Sequence, residues 1–505
     1  MKRVVHWMLA GAAVTALSAC IDLSPSYQRP AAPVAASWPD AASGASSGAS
    51  SGAAANAPTS AALAADIGWR SFFVDPRLQR TIALALSNNR DLRIAILDIE
   101  KERAEYRIER ASLFPEIDLG GSDEAERTPT SVRRAESGES ATTSGASGET
   151  THVYSANLGF TSYEIDLFGR VRNLSKAALE TYLSSIETRR STQISLVSDV
   201  ASDWLTLASD KRLLVIAQET QASQQRTFDL VDREHTLGAA SALDVEQAQA
   251  SLQSARNSTA QAQTTAEQAR NALELVVGTR VPDADLPDAQ VDPVASITSI
   301  PAGIPSAVLQ RRPDVLAAEH TLKADNADIG AARANFFPTI SLTAALGFES
   351  PALAQLFTGG NRAWSFEPSA VIPIFDAGEN RATLDAAKVT FKIDVATYEK
   401  TIQTAFEEVA NALATRKTID EQLDAQTRTV KADQHAYDLT MQLYQQGSDS
   451  LIDALTEQRL LYTAQQSLVA TQLSAQTSLI TLYAALGGGV DAESAAAASG
   501  ASATR

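Results

Sequence analysis

The chain of 505 residues is short of several things that common protein classes need. It has one cysteine, Cys20, so neither a disulfide framework nor a cysteine-based metal site can be built. Aromatic residues make up only 6%, too few for a thick globular core, and Ala, Ser, Gln and Thr dominate instead. Cations are outnumbered, 42 Lys and Arg against 60 Asp and Glu, giving a net charge of −18. That balance speaks against nucleic acid, which needs clustered Lys and Arg, though it also serves plain solubility. The five histidines, His6, His152, His235, His320 and His435, include no pair at metal-ligand spacing, and no phosphate-cradling glycine loop occurs. No stretch beyond the N-terminus approaches the roughly 18 apolar residues of a membrane helix, so any further membrane crossing must use strands.

What the chain does have begins at its N-terminus. Lys2 and Arg3 precede an apolar run from Val4 to Leu17, and then come Ser18, Ala19 and Cys20. Charged start, short apolar middle and small residues at the end make a secretory signal. Residues 41–65 are nearly all Ala, Ser and Gly, a flexible tether, and the tail after Gly487 is similar.

Between these lies a repeat, the strongest organising feature of the chain. Arg110-Ala111-Ser112-Leu113-Phe114-Pro115 recurs as Arg333-Ala334-Asn335-Phe336-Phe337-Pro338, displaced by 333 − 110 = 223. Gly238 and Gly447 recur at 447 − 238 = 209, as do Gly278 and Gly487. The first copy therefore carries about 223 − 209 = 14 extra residues between Pro115 and Gly238. Their natural home is the Ser-, Thr- and charge-rich link from Ser122 to Thr151.

Each copy opens with a helical pattern, Leu78 to Arg110 and Pro305 to Ala334, which the Phe-Pro pair should end. Period-two alternation follows, as in Ile340, Leu342, Ala344, Leu346 and Phe348 against Thr339, Ser341, Thr343 and Gly347. Strands are expected at about 115–125, 153–167, 338–349 and 364–375. One apolar and one small polar face fit a membrane barrel, although a soluble sandwich edge alternates in the same way. Very long helices then run from Val171 to Thr236 and from Arg381 to Gln445, and return helices from Ala242 to Val277 and from Leu451 to Leu486. The return helices carry a sustained heptad seam, for example Ala248, Leu252, Ala255, Thr259 and Ala262, whose small side chains let helix axes approach closely. Hairpins would sit at one end and strands at the other.

These residues resemble the outer membrane efflux proteins, in their lipidated branch. The specific pieces are Trp69-Arg70-Ser71-Phe72-Phe73, Asn88-Asn89-Arg90-Asp91-Leu92, Tyr163-Glu164-Ile165-Asp166-Leu167-Phe168-Gly169, Arg311-Arg312-Pro313-Asp314 and Ile372-Pro373-Ile374-Phe375-Asp376-Ala377-Gly378. The resemblance implies a mainly α fold with membrane β: a homotrimer whose subunits each give four strands to one 12-stranded β-barrel, continued by a long periplasmic α-helical barrel. It implies that Cys20 is acylated, with Ile21 directing the lipoprotein to the outer membrane. The division expected is a signal at 1–19, a lipidated segment and tether at 20–66, repeats at 67–278 and 305–487 joined by a linker at 279–304, and a disordered tail at 488–505.

The function so implied is passive conduction of drugs or other small molecules from a periplasmic adaptor and an inner-membrane efflux transporter to the exterior. No enzyme activity and no cofactor besides the lipid on Cys20 are expected. The alternative is a periplasmic scaffold lipoprotein that forms no pore, with a hydrolytic lipoprotein a more distant one. By resemblance the gate lies at the hairpin tips, where Gly238 and Gly447 would meet the adaptor. Tyr444 would hold the closed packing, Ile452 would form an apolar constriction, and Asp453 and Asp449 would line it with charge. Arg459 is a candidate partner for Asp453. An Asp after such a turn equally serves as a first-turn acid of the next helix.

Overall fold

The computed structural model describes residues 21–35, 38, 67–128, 149–296 and 306–489. The signal at 1–19, Cys20, the tether at 41–65, the link at 129–148, residues 297–305 and the tail from 490 lie outside the described residues. The helices are α1 (Trp69–Phe72), α2 (Pro76–Asn88), α3 (Arg90–Ala111), α4 (Arg170–Thr236), α5 (Ala242–Val277), α6 (Pro313–Ala334), α7 (Glu379–Gln445) and α8 (Leu451–Ala485). The strands are β1 (Asp118–Thr128), β2 (Glu149–Glu164), β3 (Thr339–Ser350) and β4 (Arg362–Val371). At 1.5 Å per residue, α4 and α7 are each about 100 Å long.

Helix ends follow local chemistry. Asp75 caps α2 by accepting from the backbone N–H groups of Arg77 and Leu78, and Pro76 occupies the first position, where no N–H is needed. The sequence pattern from 78 to 110 reads as one helix, but the structure breaks it at Asn89. That residue leaves helical geometry (ψ 137°) and accepts from Leu92 N–H at 2.8 Å, while its Nδ2 donates to the carbonyl of Val276. A short amide side chain competes with the helix for backbone partners, and here it ends one helix and starts the next. Gly278 closes α5 in the left-handed region, at φ 80°. In the second copy, Pro305 lies outside the described residues, and a 3₁₀ segment, Ser306–Arg311, precedes α6.

The chain divides into two compact units. The first comprises, of the described residues, 21–29, 100–183 and 320–395. It holds one antiparallel sheet of order β1-β2-β3-β4. Register aligns Leu119 with Leu158, Leu158 with Leu346, and Leu346 with Trp364, an apolar row across all four strands. All four side chains are more than half exposed. The neighbouring row, Gly120, Asn157, Gly347 and Ala363, belongs to the other face and is small or polar. A bulge between Phe160 and Tyr163, with Ser162 at φ 54°, bends β2. Strand bounds differ from the sequence reading at both edges. β1 starts only at Asp118, because Pro115 to Ile117 lack a pairing partner, and β4 stops at Val371, before Pro373.

In the same unit the N-terminal stretch is bonded in place. Ile21 N–H donates to Leu167 O, Asn173 to Asp22, Asn326 to Pro25 O and Arg333 to Leu23 O. His320 on α6 faces Glu180 on α4 at 2.7 Å. Asp325, also on α6, is buried beside Asp394 of α7. Burial pushes its carboxyl up to about 7, aided by the hydrogen bond and charge shared with Asp394 and by Asp328.

The second unit comprises residues 30–99, 184–319 and 396–505 as far as they are described. Its main core gathers Trp69, Phe72, Phe73, Leu78, Ile82, Val200 and Trp204, with Tyr483 stacked on Phe72 at 3.8 Å. A second core holds Trp38 stacked on Phe406 at 4.1 Å among Leu309, Val409 and Leu482. Along α5 the seam residues Ala248, Leu252, Ala255, Ala266 and Leu273 are buried. Along α8 the matching stripe holds at Ala454, Leu461, Ala464, Ala475, Ser478 and Leu482, and Val469 is buried too.

Because the Asp325 carboxyl is raised from 3.8 in the fold, it favours folding when protonated, and that contribution is lost as pH climbs from about 4 through 7. Asp325→Asn should therefore raise the apparent melting temperature at pH 8 and leave it unchanged at pH 4. Tryptophan fluorescence melts at the two pH values check this.

Candidate functional site at the hairpin tips

The two helical turns of the second unit are built alike. At the first, Gly238 takes φ 79°, its N–H donates to His235 O, and Ala239 N–H reaches back to Glu234 O. At the second, Gly447 takes φ 72°, its N–H donates to Tyr444 O, and Ser448 N–H reaches Leu443 O. These paired bonds satisfy the last carbonyls of α4 and α7 and need a left-handed residue. A Cβ at either glycine would meet nothing within 4 Å, so the backbone angle alone calls for glycine.

Serine then starts each return helix. Ser241 and Asp244 form a capping box on α5, and Ser450 accepts from Asp453 N–H on α8. Asp453 Oδ2 accepts from Ser450 Oγ at 2.5 Å, so it holds the helix start. Asp449 Oδ1 accepts from the N–H of Ser450, and both carboxylates are exposed or nearly so. Ile452 is 55% exposed. Leu237 and Leu243 stand further out, at 84% and 65%.

Between the tips runs a thin join. Val231, Ala248 and Leu451 are buried together, with Phe228, Val245 and Tyr444 packed on them. Tyr444 Oη donates to Glu234 Oε2 at 2.8 Å. Burial, then this bond to Glu234, holds the phenol well above its usual range. Further along, Gln224 Nε2 donates to Gln458 Oε1 at 2.7 Å in a buried position, and the hydroxyls of Ser223 and Tyr437 meet at 3.0 Å. On one side lies a cleft of about 470 Å³ bounded by Ile452, Thr456 and Arg459 of α8 and by Gln247 and Ser251 of α5. On the other lies one of about 500 Å³ between α4, α7 and α8.

The structure thus brings Tyr444 into the join, leaves Asp449 half-buried beside it, and places Ile452 and Asp453 on exposed positions. Glu234, Gln224 and Gln458 were not foreseen. The repeat held a clue for the first, since 444 − 234 = 210 is one residue off the repeat spacing. Thr456 spends its hydroxyl on Ile452 O. Among the described residues no helix is long and apolar enough to cross a membrane, and no cluster of three metal-ligating side chains occurs. His152 faces Asp123, and His235 Nδ1 lies 2.9 Å from Ala240 O.

An apolar row across an open antiparallel sheet, followed by paired helical hairpins in two copies, defines a membrane-strand transport protein. Residues 81–279 and 304–488 match the family model "Outer membrane efflux protein". The chain is 47% identical over 483 residues to the toluene efflux pump outer membrane protein TtgC of Pseudomonas putida, covering 95% of each. It is 39% identical over 475 residues to the outer membrane protein OprJ of Pseudomonas aeruginosa, covering 94% of each. Among solved structures, the open state of the MtrE outer membrane channel of Neisseria gonorrhoeae superposes with TM-score 0.79 at 34% identity, over 93% of this chain and 99% of that one. A membrane protein from Pseudomonas aeruginosa gives 0.82 at 38%, over 92% and 100%. The chain belongs to the outer membrane efflux protein family, resides in the outer membrane and serves transport out of the cell.

A hydrogen bond to a carboxylate contributes roughly 1.5 kcal/mol, about a tenfold change in a local opening equilibrium. Tyr444→Phe should therefore speed amide hydrogen exchange at Gly447 to Ser450 by up to about tenfold and leave α6 unaffected. In a Glu234→Gln background the same change should have a smaller effect.

Proposed function

We propose that the protein is a passive, gated export duct, closed as a homotrimer. The observation that carries this is the sheet itself, four strands whose outer edges are unpaired among the described residues, with an exposed apolar row. Four strands cannot close, since the narrowest membrane barrels need about eight. Three copies supply a 12-stranded barrel whose apolar rows face lipid and whose glycine, alanine and asparagine rows face water. The exposed apolar row favours this over a scaffold lipoprotein, which has no use for it. An acyl chain on Cys20 would add an anchor, and the bonding of Ile21 to Leu167 fits a lipid entering beside the end of β2.

The helical tips form the gate. Tyr444 on Glu234 holds the two hairpins of one subunit together. Ile452 supplies an apolar constriction, and Asp453 and Asp449 from three subunits supply a ring of like charge that favours passing cations. Gly238 and Gly447 hold the turns that a periplasmic adaptor would meet, with exposed Leu237 and Leu243 offering it apolar contact. An inner-membrane transporter supplies the energy and selects the cargo. Relatives are named for toluene, solvent and antibiotic efflux, which supports drugs and other small molecules as the cargo class.

Asp453→Ala should raise single-channel conductance or lower cation preference in planar bilayers. An unchanged current and reversal potential would remove Asp453 from the gate. Because Asp453 also caps α8, Asp453→Asn, which keeps an acceptor for Ser450, should shift selectivity alone.

A further inference from the structure

Two helices serve as the stems of the second strand hairpin: α6 runs into β3, and α7 leaves β4. A pair of acids joins them. Asp325 of α6 is only 9% exposed, and its carboxyl shares a hydrogen bond with that of Asp394 on α7. Ionised carboxylates only accept, so this bond exists only while one of the two groups holds a proton. The other oxygen of Asp325, Oδ2, is buried and has no partner among the described residues, so no further donor reaches it there.

The surroundings supply no counter-charge. Asp328, one turn along α6, is the next group that acts on Asp325, and it too is an acid. Burial raises the Asp328 carboxyl, and Glu109 of α3 adds to this. From α4 comes Glu180, which faces His320 of α6 at 2.7 Å. Lys323 of α6 lies over the ring of Tyr27 at 5.8 Å. Among the described residues, every charged group that acts on Asp325 is therefore an acid.

The first repeat treats the same position differently. Asp325 corresponds to Glu102, since 325 − 223 = 102, and Glu102 is paired with Lys101 at 2.9 Å. In the second repeat the place of that lysine is taken by Ala324 (324 − 223 = 101), which packs with Ala177 and Ala327. Asp394 corresponds in turn to Ser185, since 394 − 209 = 185. One repeat thus neutralises its acid with a lysine, the other with a second acid and a proton. A lysine keeps its charge across neutral pH, whereas a proton between carboxyls does not stay.

We infer that Asp325 and Asp394 form a proton-held latch between the stems of the β3–β4 hairpin, closed in acid and released towards alkaline pH. The latch lies within one chain and does not rest on the duct reading; in a duct it sets the stiffness of the wall beneath that hairpin. With the latch open, Asp325 titrates near its ordinary 3.8; with it closed, burial and then Asp394 push the carboxyl up to about 7. The proton's contribution is complete below the first value, is lost between the two, and has gone above the second.

Hydrogen exchange read by mass spectrometry tests this on the full chain in detergent, with a chelator present to keep divalent cations away. After correction for the intrinsic rate, opening of residues 320–334 and 379–395 should rise up to about a hundredfold from pH 5 to pH 8. Residues 100–111 and 170–183, the corresponding stems of the first repeat, should change little. Asp394→Asn gives Asp325 a donor at every pH and should flatten the profile. Asp325→Asn supplies the donor from the other side and should flatten it too. A flat profile in the parent would overturn the latch, as would a pH dependence that survives in both amide variants. Equal loosening of both pairs of stems would also overturn it, since the titration would then act on the whole fold.

Discussion

Hydrocarbon offers no hydrogen bonds, so every backbone N–H and C=O that crosses it must find a partner within protein. In this chain that demand cannot be met alone. β2 and β3 are paired on both sides, whereas β1 and β4 each have one edge that is unpaired among the described residues. The apolar row from Leu119 to Trp364 commits the sheet to lipid, and the open edges commit it to further copies. Assembly is thereby a condition of the membrane structure and not an addition to it.

At the tips a different balance operates. Helix ends there are strongly determined, because both turns satisfy their carbonyls through a left-handed glycine and both return helices begin at a serine cap. The join between the hairpins is much slighter. It consists of three buried side chains, the bond from Tyr444 to Glu234 and a few polar contacts such as Gln224 to Gln458. Rigid hairpins with a weak join are suited to a gate, since parting them costs few contacts and unfolds no helix. The phenol–carboxylate bond also explains why a tyrosine serves here: its ring packs on the apolar cluster while its hydroxyl reaches a charge.

Much of this was legible in the residues. The repeat placed both turns at Gly238 and Gly447, and strand alternation placed the apolar row, because each follows from a local period or a single backbone requirement. The helix pattern over 78–110 misled, since hydrophobic spacing continues straight through Asn89 and only its side-chain bonds to Leu92 and Val276 reveal the break. Glu234 could not be found from its own neighbourhood, because its partner lies on the other hairpin. Asp453 was readable in two ways, and its bond to Ser450 shows the capping role directly while the residue stays exposed. The carboxyl pair of Asp325 and Asp394 was not foreseen either, as it forms between helices α6 and α7 from separate stretches of the chain.

The most direct measurement is the mass and shape of the detergent-extracted particle, by light scattering and electron microscopy. A duct closed by its own copies requires a ring of three chains with a central passage and helical walls. A monodisperse monomer, or a particle without a passage, would contradict it, because the four-stranded sheet would then have to survive with both edges unpaired.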